Sequence, residues 1–283
     1  MPGIQIGASG FIRAAEWTLK RLEDFAVSQP SGNRLMKAHS LIRDANEQKI
    51  ILCSDDEPTL HRITEAQWTI LEQYIVVRAL GKPGRMLDPM QLSKLEMMLS
   101  GADTEDEDKN GLARNTQFEL YAGATLVMGD VRTQLAEPDL RADYLGMEVG
   151  VAAKRVRSPK QLNRRANEAV KQLRISGVPG IVALNADVLL KTTGTGNLDT
   201  KQLDERLCVL KEIDELLSRH EEVLASLVFA HDAVWQFGGE KPSFGMTSWH
   251  RFSVYPRTQE QQERGEEFWH KARERIDMRM ENL

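Results

Sequence analysis

The chain has few cysteines, few aromatic residues and no long apolar run, and each shortage excludes a class of protein. Its two cysteines, Cys53 and Cys208, lie far apart and have no CxxC spacing. A thiolate zinc site therefore lacks ligands, and a disulfide framework is not expected. No apolar run approaches the roughly 20 residues that span a bilayer, and the N-terminus lacks the apolar core of a signal peptide. We expect a soluble, cytoplasmic protein with no membrane partner.

Size and overall charge leave many functions open. The chain has 283 residues, of which 41% are hydrophobic, and this is enough to build a full core. Such a length is typical of one large domain or two ordinary ones. The net charge of −5 and the aromatic content of 6% do not mark the whole chain as a nucleic-acid binder. Any such property must reside in a local segment.

An acidic segment divides the chain. Before it, apolar residues recur at three- and four-residue spacing, which predicts helices over 11–25, 35–42 and 68–80, with a short one over 92–99. Residues 101–111 carry five acids and almost no apolar side chain, as is typical of a solvated linker. We therefore predict a helical N-terminal region over 1–100, a linker over 101–111 and a second domain over 112–283.

The second domain has a mixed pattern of helices and strands. A helix is predicted over 112–127, an extended segment over 131–136, and two strands over 139–144 and 147–156 around a tight turn at Leu145-Gly146. Ser158-Pro159 opens a helix that closes at Gly177, and a short buried strand follows over 180–186. Further elements are a helix over 204–221, strands over 224–234 and 248–255, and a charged helix over 266–280. This order predicts an α/β fold.

The predicted hairpin brings an acid and a lysine together. If the turn has two residues, Tyr144 faces Met147, so Asp139 lies opposite Ala152 and diagonal to Lys154. Diagonal neighbours on one face are about 7–8 Å apart, within reach of a lysine. An ordinary cross-strand ion pair on a solvated face explains this pairing equally well.

Two neighbouring features favour a functional site. Residues 154–174 contain eight Lys or Arg side chains and one acid, Glu168, and such a basic surface suits a phosphate backbone. Glu119 lies on a helical stripe of apolar and small residues, where a buried carboxylate is costly unless it is paired or bound to a metal. The plainer alternatives are a solvated charged face for the first and a glutamate reaching solvent for the second.

These segments together resemble the PD-(D/E)xK nuclease superfamily. The resemblance rests on FELYAGATL, on EPDLRADYLGMEVGVAAKRVRSPKQL, on NEAVKQL and on GIVALNAD, about a quarter of the chain. In that superfamily a glutamate-bearing helix precedes a hairpin whose first strand begins with Pro-Asp, here Pro138-Asp139. The second strand carries Glu-x-Lys, here Ala152-Ala153-Lys154. The resemblance implies a restriction-endonuclease-like mixed sheet flanked by helices, here preceded by the helical N-terminal region.

The resemblance also implies a chemistry. Asp139, a second carboxylate and the Ala153 carbonyl would hold Mg²⁺ or Mn²⁺, and Lys154 would orient or activate the attacking water. Ala152 stands where the second acid is expected. Glu168 is our candidate replacement, moved to the following helix, with Glu119 as an outer ligand. The side chains expected to contact nucleic acid are Arg155, Arg157, Lys160, Arg164, Arg165 and Gln172.

Three functions are compatible with the sequence, and the presence of both Asp139 and Lys154 favours the first over the second. The first is a metal-dependent nuclease, with DNA as the expected substrate, although the sequence does not exclude RNA. The second is an inactive nuclease fold that binds nucleic acid, and the third is a protein-interaction module. Target recognition and assembly into a homo-oligomer both remain open as roles for the N-terminal region. His231-Asp232 could be an acid–base or metal pair, but a turn at the end of a strand is the plainer interpretation.

Overall fold

The computed structural model describes residues 4–50, 52, 56–81, 87–102, 111–190, 200–237 and 243–280. Within these ranges the helices are α1 (Ala8–Asp24), α2 (Arg34–Asn46), α3 (Glu57–Ala79), α4 (Pro89–Leu99), α5 (Leu112–Met128), α6 (Leu162–Ser176), α7 (Thr200–Leu217) and α8 (Gln259–Met280). The strands are β1 (Ile4–Gly7), β2 (Thr133–Leu135), β3 (Leu140–Tyr144), β4 (Met147–Arg155), β5 (Gly180–Asn185), β6 (Val223–Gln236) and β7 (Ser243–Val254). A 3-10 turn, Pro159–Gln161, leads into α6.

The strands form one mixed sheet in the order β1-β7-β6-β5-β4-β3-β2. The three central strands β4, β5 and β6 are parallel, and the strands on either side pair antiparallel. Every residue of β5 is buried, as expected for a short apolar run between two parallel neighbours. The predicted α/β class is confirmed.

The hairpin of β3 and β4 has the predicted register. Tyr144 pairs with Met147, and Leu140 pairs with Val151. Leu145 and Gly146 both have positive φ, at 56° and 81°, which is the conformation of a two-residue turn that follows the right-handed twist of the strands. The glycine adopts this conformation without steric cost, and the Asp143 carboxylate accepts a hydrogen bond from its backbone N–H at 3.0 Å.

Helices cover both faces of the sheet. One face packs against α6 and α7 in a hydrophobic cluster that includes Ala152. The other face packs in a larger cluster with side chains from α1, α3, α5 and α8, and Val151 belongs to it. Because side chains alternate along a strand, Lys154 shares the side of Ala152, and Arg155 shares the side of Val151.

The N-terminal region contributes to the same sheet and core. β1 was not predicted; it pairs with β7 at one edge of the sheet. Helix α3 starts at Glu57, capped by the Asp56 carboxylate, and is buried almost continuously from Ile63 to Val77. Polar residues on this buried length, such as Gln67, obscured its start in the sequence. The predicted linker at 101–111 lies mostly outside the described residues.

Other boundaries differ modestly from the prediction. Helix α6 closes at Gly177, which has a φ of 70°, as the sequence indicates. Helix α8 begins at Gln259, earlier than predicted, because its first turns are charged and exposed and show no apolar periodicity. No helix in the described ranges has the length and apolar character needed to cross a bilayer.

Candidate functional site

Asp139 lies at the centre of the predicted site. It immediately precedes β3, and its Oδ2 accepts hydrogen bonds from the Ala153 backbone N–H at 2.8 Å and from Lys154 Nζ at 2.9 Å. Lys154 Nζ also donates to the Ala153 carbonyl at 2.9 Å. The Asp139 and Lys154 side chains are only 16% and 14% exposed, so this ion pair is largely shielded from solvent. The predicted pairing of these two residues is confirmed.

Helix α6 brings a third side chain to the same carboxylate. Gln172 Nε2 donates to Asp139 Oδ1 at 3.5 Å, at the limit of a hydrogen bond. Because the amide nitrogen must be the donor to a carboxylate, the amide orientation is determined. The Gln172 Oε1 atom is then buried and accepts no hydrogen bond within the described part of the chain. Gln172 therefore belongs to the Asp139 site, and its expected contact with nucleic acid stays a prediction.

Glu119 on α5 belongs to the same electrostatic group. Burial raises the pKa of its carboxyl, and the Asp139 charge acts in the same direction, while Lys94 and Lys154 oppose the shift. Lys94 from α4 contacts the Glu119 carboxylate directly. Sequence reasoning missed Lys94, because no motif connects a lysine on α4 with an acid 25 positions later.

Glu168, the predicted replacement acid, pairs with basic neighbours on its own helix. Its Oε2 is 2.8 Å from Arg165 Nη1, and its Oε1 is 3.7 Å from Arg164 Nε. Within the described residues, Glu168 forms no hydrogen bond or ion pair with Asp139. Its role as a metal ligand stays a prediction, and Glu119 is the acid whose charge is coupled to that of Asp139.

The basic side chains predicted to bind nucleic acid occupy several environments. Lys160 and Arg164 are exposed near the start of α6, while Arg165 is partly shielded by its ion pair. Arg157 lies against Gly111 at the start of α5. Arg155 is turned to the opposite face of the sheet from Lys154. Burial raises the pKa of Glu72 on that face, and the Arg155 charge partly opposes the rise.

A second group of polar side chains is buried on that opposite face. Glu72 of α3, Asp187 just after β5 and His231 of β6 each offer a ligand atom, and these atoms lie within 4.8 Å of one another. The residues are 6%, 3% and 0% exposed. The Asp187 Oδ1 atom accepts a hydrogen bond from the His231 backbone N–H at 2.7 Å and is 3.2 Å from His231 Nδ1.

A shell of polar and aromatic groups orients this cluster. Tyr121 OH is 3.3 Å from His231 Nε2 and 3.1 Å from His250 Nε2. Gln117 Nε2 donates to Glu72 Oε2 at 2.5 Å, and burial raises the Glu72 pKa. Burial, together with the nearby His231 and Arg273, lowers the His250 pKa to about 3, so this imidazole is neutral.

The plainer interpretation of His231-Asp232 as a strand-end turn is wrong. Strand β6 continues to Gln236, and both residues lie inside it. Their side chains have different partners: His231 meets Asp187, whereas Asp232 pairs with Arg206 at 2.8 Å and accepts a hydrogen bond from Trp249. The one sequence signal for the cluster was a histidine within an apolar strand. No spacing pointed to Glu72.

Comparisons with known proteins add no relative. No protein-family model, no curated protein and no solved structure matches the chain.

Proposed function

We propose that the chain is a metal-dependent nuclease of the PD-(D/E)xK type and that Asp139, Lys154, Glu119 and Gln172 form its active site. The observation that carries this proposal is the convergence on one carboxylate. Asp139 receives the lysine of the hairpin, the backbone N–H of the residue before that lysine, and the glutamine of the next helix. An ordinary surface ion pair accounts for only the first of these contacts.

The order of elements supports a restriction-endonuclease-like core within this sheet. The glutamate-bearing helix α5 leads into the meander β2-β3-β4, which is followed by the glutamine-bearing helix α6 and the buried strand β5. The hairpin strands are antiparallel, and β5 lies parallel to β4. This is the order on which the sequence resemblance rests.

The oxygen atoms at the site suit a hard divalent cation such as Mg²⁺ or Mn²⁺. The Asp139 and Glu119 carboxylates and the Ala153 carbonyl would hold it, with the buried Gln172 Oε1 atom close to Asp139. Such an ion would polarise the scissile phosphate and supply a water nucleophile. With Glu119 as the second acid, the site does not require Glu168.

The protein groups around these oxygens have distinct roles in this proposal. Lys154 donates a hydrogen bond to the Asp139 carboxylate, positions a water and offsets negative charge that develops on the phosphate. The Ala153 N–H fixes the direction of the carboxylate. Lys94 holds Glu119 next to the site. Lys160, in the turn before α6, and Arg164, in the first turn of α6, are both exposed and would contact the phosphates that flank the cleaved bond.

A second candidate is an inactive nuclease fold that binds nucleic acid. Ala152, at the position of the expected acid, is fully buried in the apolar cluster beneath α6. The two remaining acids each pair with a lysine, so the site is charge-balanced without a metal. Both candidates use the same basic surface to bind nucleic acid, and only the active nuclease cleaves it.

The test is cleavage of supercoiled plasmid, single-stranded DNA and RNA with Mg²⁺ or Mn²⁺. We expect wild type to cut at least one of these substrates and Asp139→Asn to lose cutting. Glu148→Gln is the matched control, since Glu148 is an exposed acid of the same hairpin. Equal activity in wild type and Asp139→Asn indicates a contaminating nuclease and contradicts the proposal. Binding without cleavage by wild type supports the second candidate.

A further inference from the structure

The structure points to a second metal site, in which Glu72, Asp187 and His231 bind one first-row transition-metal dication in the protein interior. This inference does not depend on the proposed nuclease function, because the three residues lie on the opposite face of the sheet from Lys154. Their ligand atoms already lie within 4.8 Å of one another. No other such group of three or more acidic, histidine or cysteine side chains occurs in the described ranges.

The strongest indication is a buried carboxylate, that of Glu72, which forms no ion pair within the described residues. Helix α3 buries two glutamates two turns apart, Glu65 and Glu72, which are 1% and 6% exposed. Glu65 pairs with Arg114 at 3.3 Å, as a buried acid normally does. Glu72 forms no ion pair within the described residues; its hydrogen bond comes from the neutral Gln117 amide. A second buried carboxylate, Asp187, lies beside Glu72 and offers a dication a further oxygen ligand.

The three candidate ligands are also held in place by their neighbours. Tyr121 occupies the Nε2 side of His231, which leaves Nδ1 facing Asp187. Asn185 donates to Asp187 Oδ2 at 2.7 Å, and Gln117 donates to Glu72. Each ligand therefore has a hydrogen-bond partner that directs it towards the other two. Supporting contacts of this kind are typical of protein metal sites.

The ligand types indicate the class of metal. An imidazole nitrogen with two carboxylates suits Zn²⁺, Mn²⁺ or Fe²⁺, whereas Mg²⁺ prefers oxygen ligands and keeps several waters. We infer a structural ion that joins α3 of the N-terminal region to the carboxyl end of β5 and to β6. Metal binding and folding would then be coupled.

The test measures metal retention by the full-length chain. The protein is unfolded with chelator, refolded with Zn²⁺, passed through a desalting column in EDTA and analysed by mass spectrometry of metals. Wild type should retain a single ion per chain. Glu72→Gln and His231→Gln should each weaken metal binding by more than about 100-fold, because loss of a supporting contact alone costs about 10–100-fold.

Two controls separate this site from the rest of the molecule. Glu65→Gln removes an equally buried glutamate from the same helix and should retain the ion. Asp139→Asn should also retain it, because it changes only the proposed nuclease site. Loss of the ion in Asp139→Asn with retention in Glu72→Gln would overturn the inference.

Refolding with Co²⁺ gives a test that needs no variant in the cluster. Bound Co²⁺ in wild type should show visible absorption typical of nitrogen and oxygen ligation, and it should quench Trp68, whose ring centre is 6.3 Å from that of His231. If wild type retains neither Zn²⁺ nor Co²⁺ and EDTA leaves its thermal stability unchanged, the inference is wrong. The cluster is then a proton-linked network in which protonated His231 pairs with Asp187.

Discussion

Replacing Lys154 with methionine tests the central ion pair without opening a cavity. Methionine keeps most of the aliphatic stem but removes the ammonium, which donates to Asp139 and to the Ala153 carbonyl, both at 2.9 Å. Asp139 then keeps the Ala153 N–H at 2.8 Å and the longer contact with Gln172. The substitution leaves a largely buried carboxylate without its cation.

The expected cost follows from the burial of the pair. Breaking a fully buried pair costs about 3–5 kcal/mol, and net hydrogen bonds to charged groups contribute about 1.5–3 kcal/mol. The two side chains are 14% and 16% exposed, so water can partly replace the ammonium. We therefore expect the free energy of unfolding to fall by about 2 kcal/mol.

Urea denaturation followed by circular dichroism measures this change as a lower midpoint at constant slope. Lys171→Met, at an exposed position of α6, is the control and should stay within about 0.5 kcal/mol of wild type. A double-mutant cycle with Asp139→Asn should give a coupling of about 1–3 kcal/mol. An unchanged or raised stability in Lys154→Met would refute the account of this pair.

Three further predictions concern the same region and the protein interior. Glu119→Gln should lower the cleavage rate by about 10²-fold or more, as expected on loss of a metal ligand or proton acceptor. Glu168→Gln should cut nearly as well as wild type. The reverse order of rates would show that Glu168, and not Glu119, is the second acid of the site. Gly150→Ala places a Cβ 2.9 Å from the Pro138 ring, so it should displace the adjacent Asp139 carboxylate. We expect a large loss of cleavage with only a small fall in melting temperature. Full activity would show that the Pro138 ring shifts without moving Asp139. The His250 pKa is depressed to about 3, so wild type should lose stability as the pH falls below the unfolded-state pKa near 6.5. His250→Gln should lose less stability over that range in matched urea titrations. Parallel pH profiles for the two proteins would contradict a depressed His250 pKa in the folded state.

The hairpin was predictable because its determinants are local. The turn at Leu145-Gly146 sets the register, and the register places Asp139 beside Lys154 without any long-range information. Helix α6 was similarly marked by its proline and glycine ends. Gln172 reaches Asp139 because α6 packs on the face of the sheet that carries Ala152 and Lys154.

The rest of the site could not be predicted, because it depends on long-range packing. Lys94 and Glu119 come before and after the acidic segment in the sequence, and no pattern within either helix indicates that they contact each other. Asp187 and His231 are 44 positions apart and meet because β5 and β6 are parallel neighbours. Glu72 lies on α3, where polar and apolar residues are buried alike. The sequence pattern therefore does not indicate that Glu72 is in the interior.

The most direct test of the central claim is the single-turnover rate of Mg²⁺-dependent cleavage in wild type and Lys154→Met at saturating protein. Binding is measured separately in Ca²⁺, so that affinity and chemistry are distinguished. The account predicts that Lys154→Met binds the substrate as wild type does and cleaves about 10²-fold or more slowly. Equal cleavage rates for the two proteins would contradict the assignment of Asp139 and Lys154 as the catalytic centre.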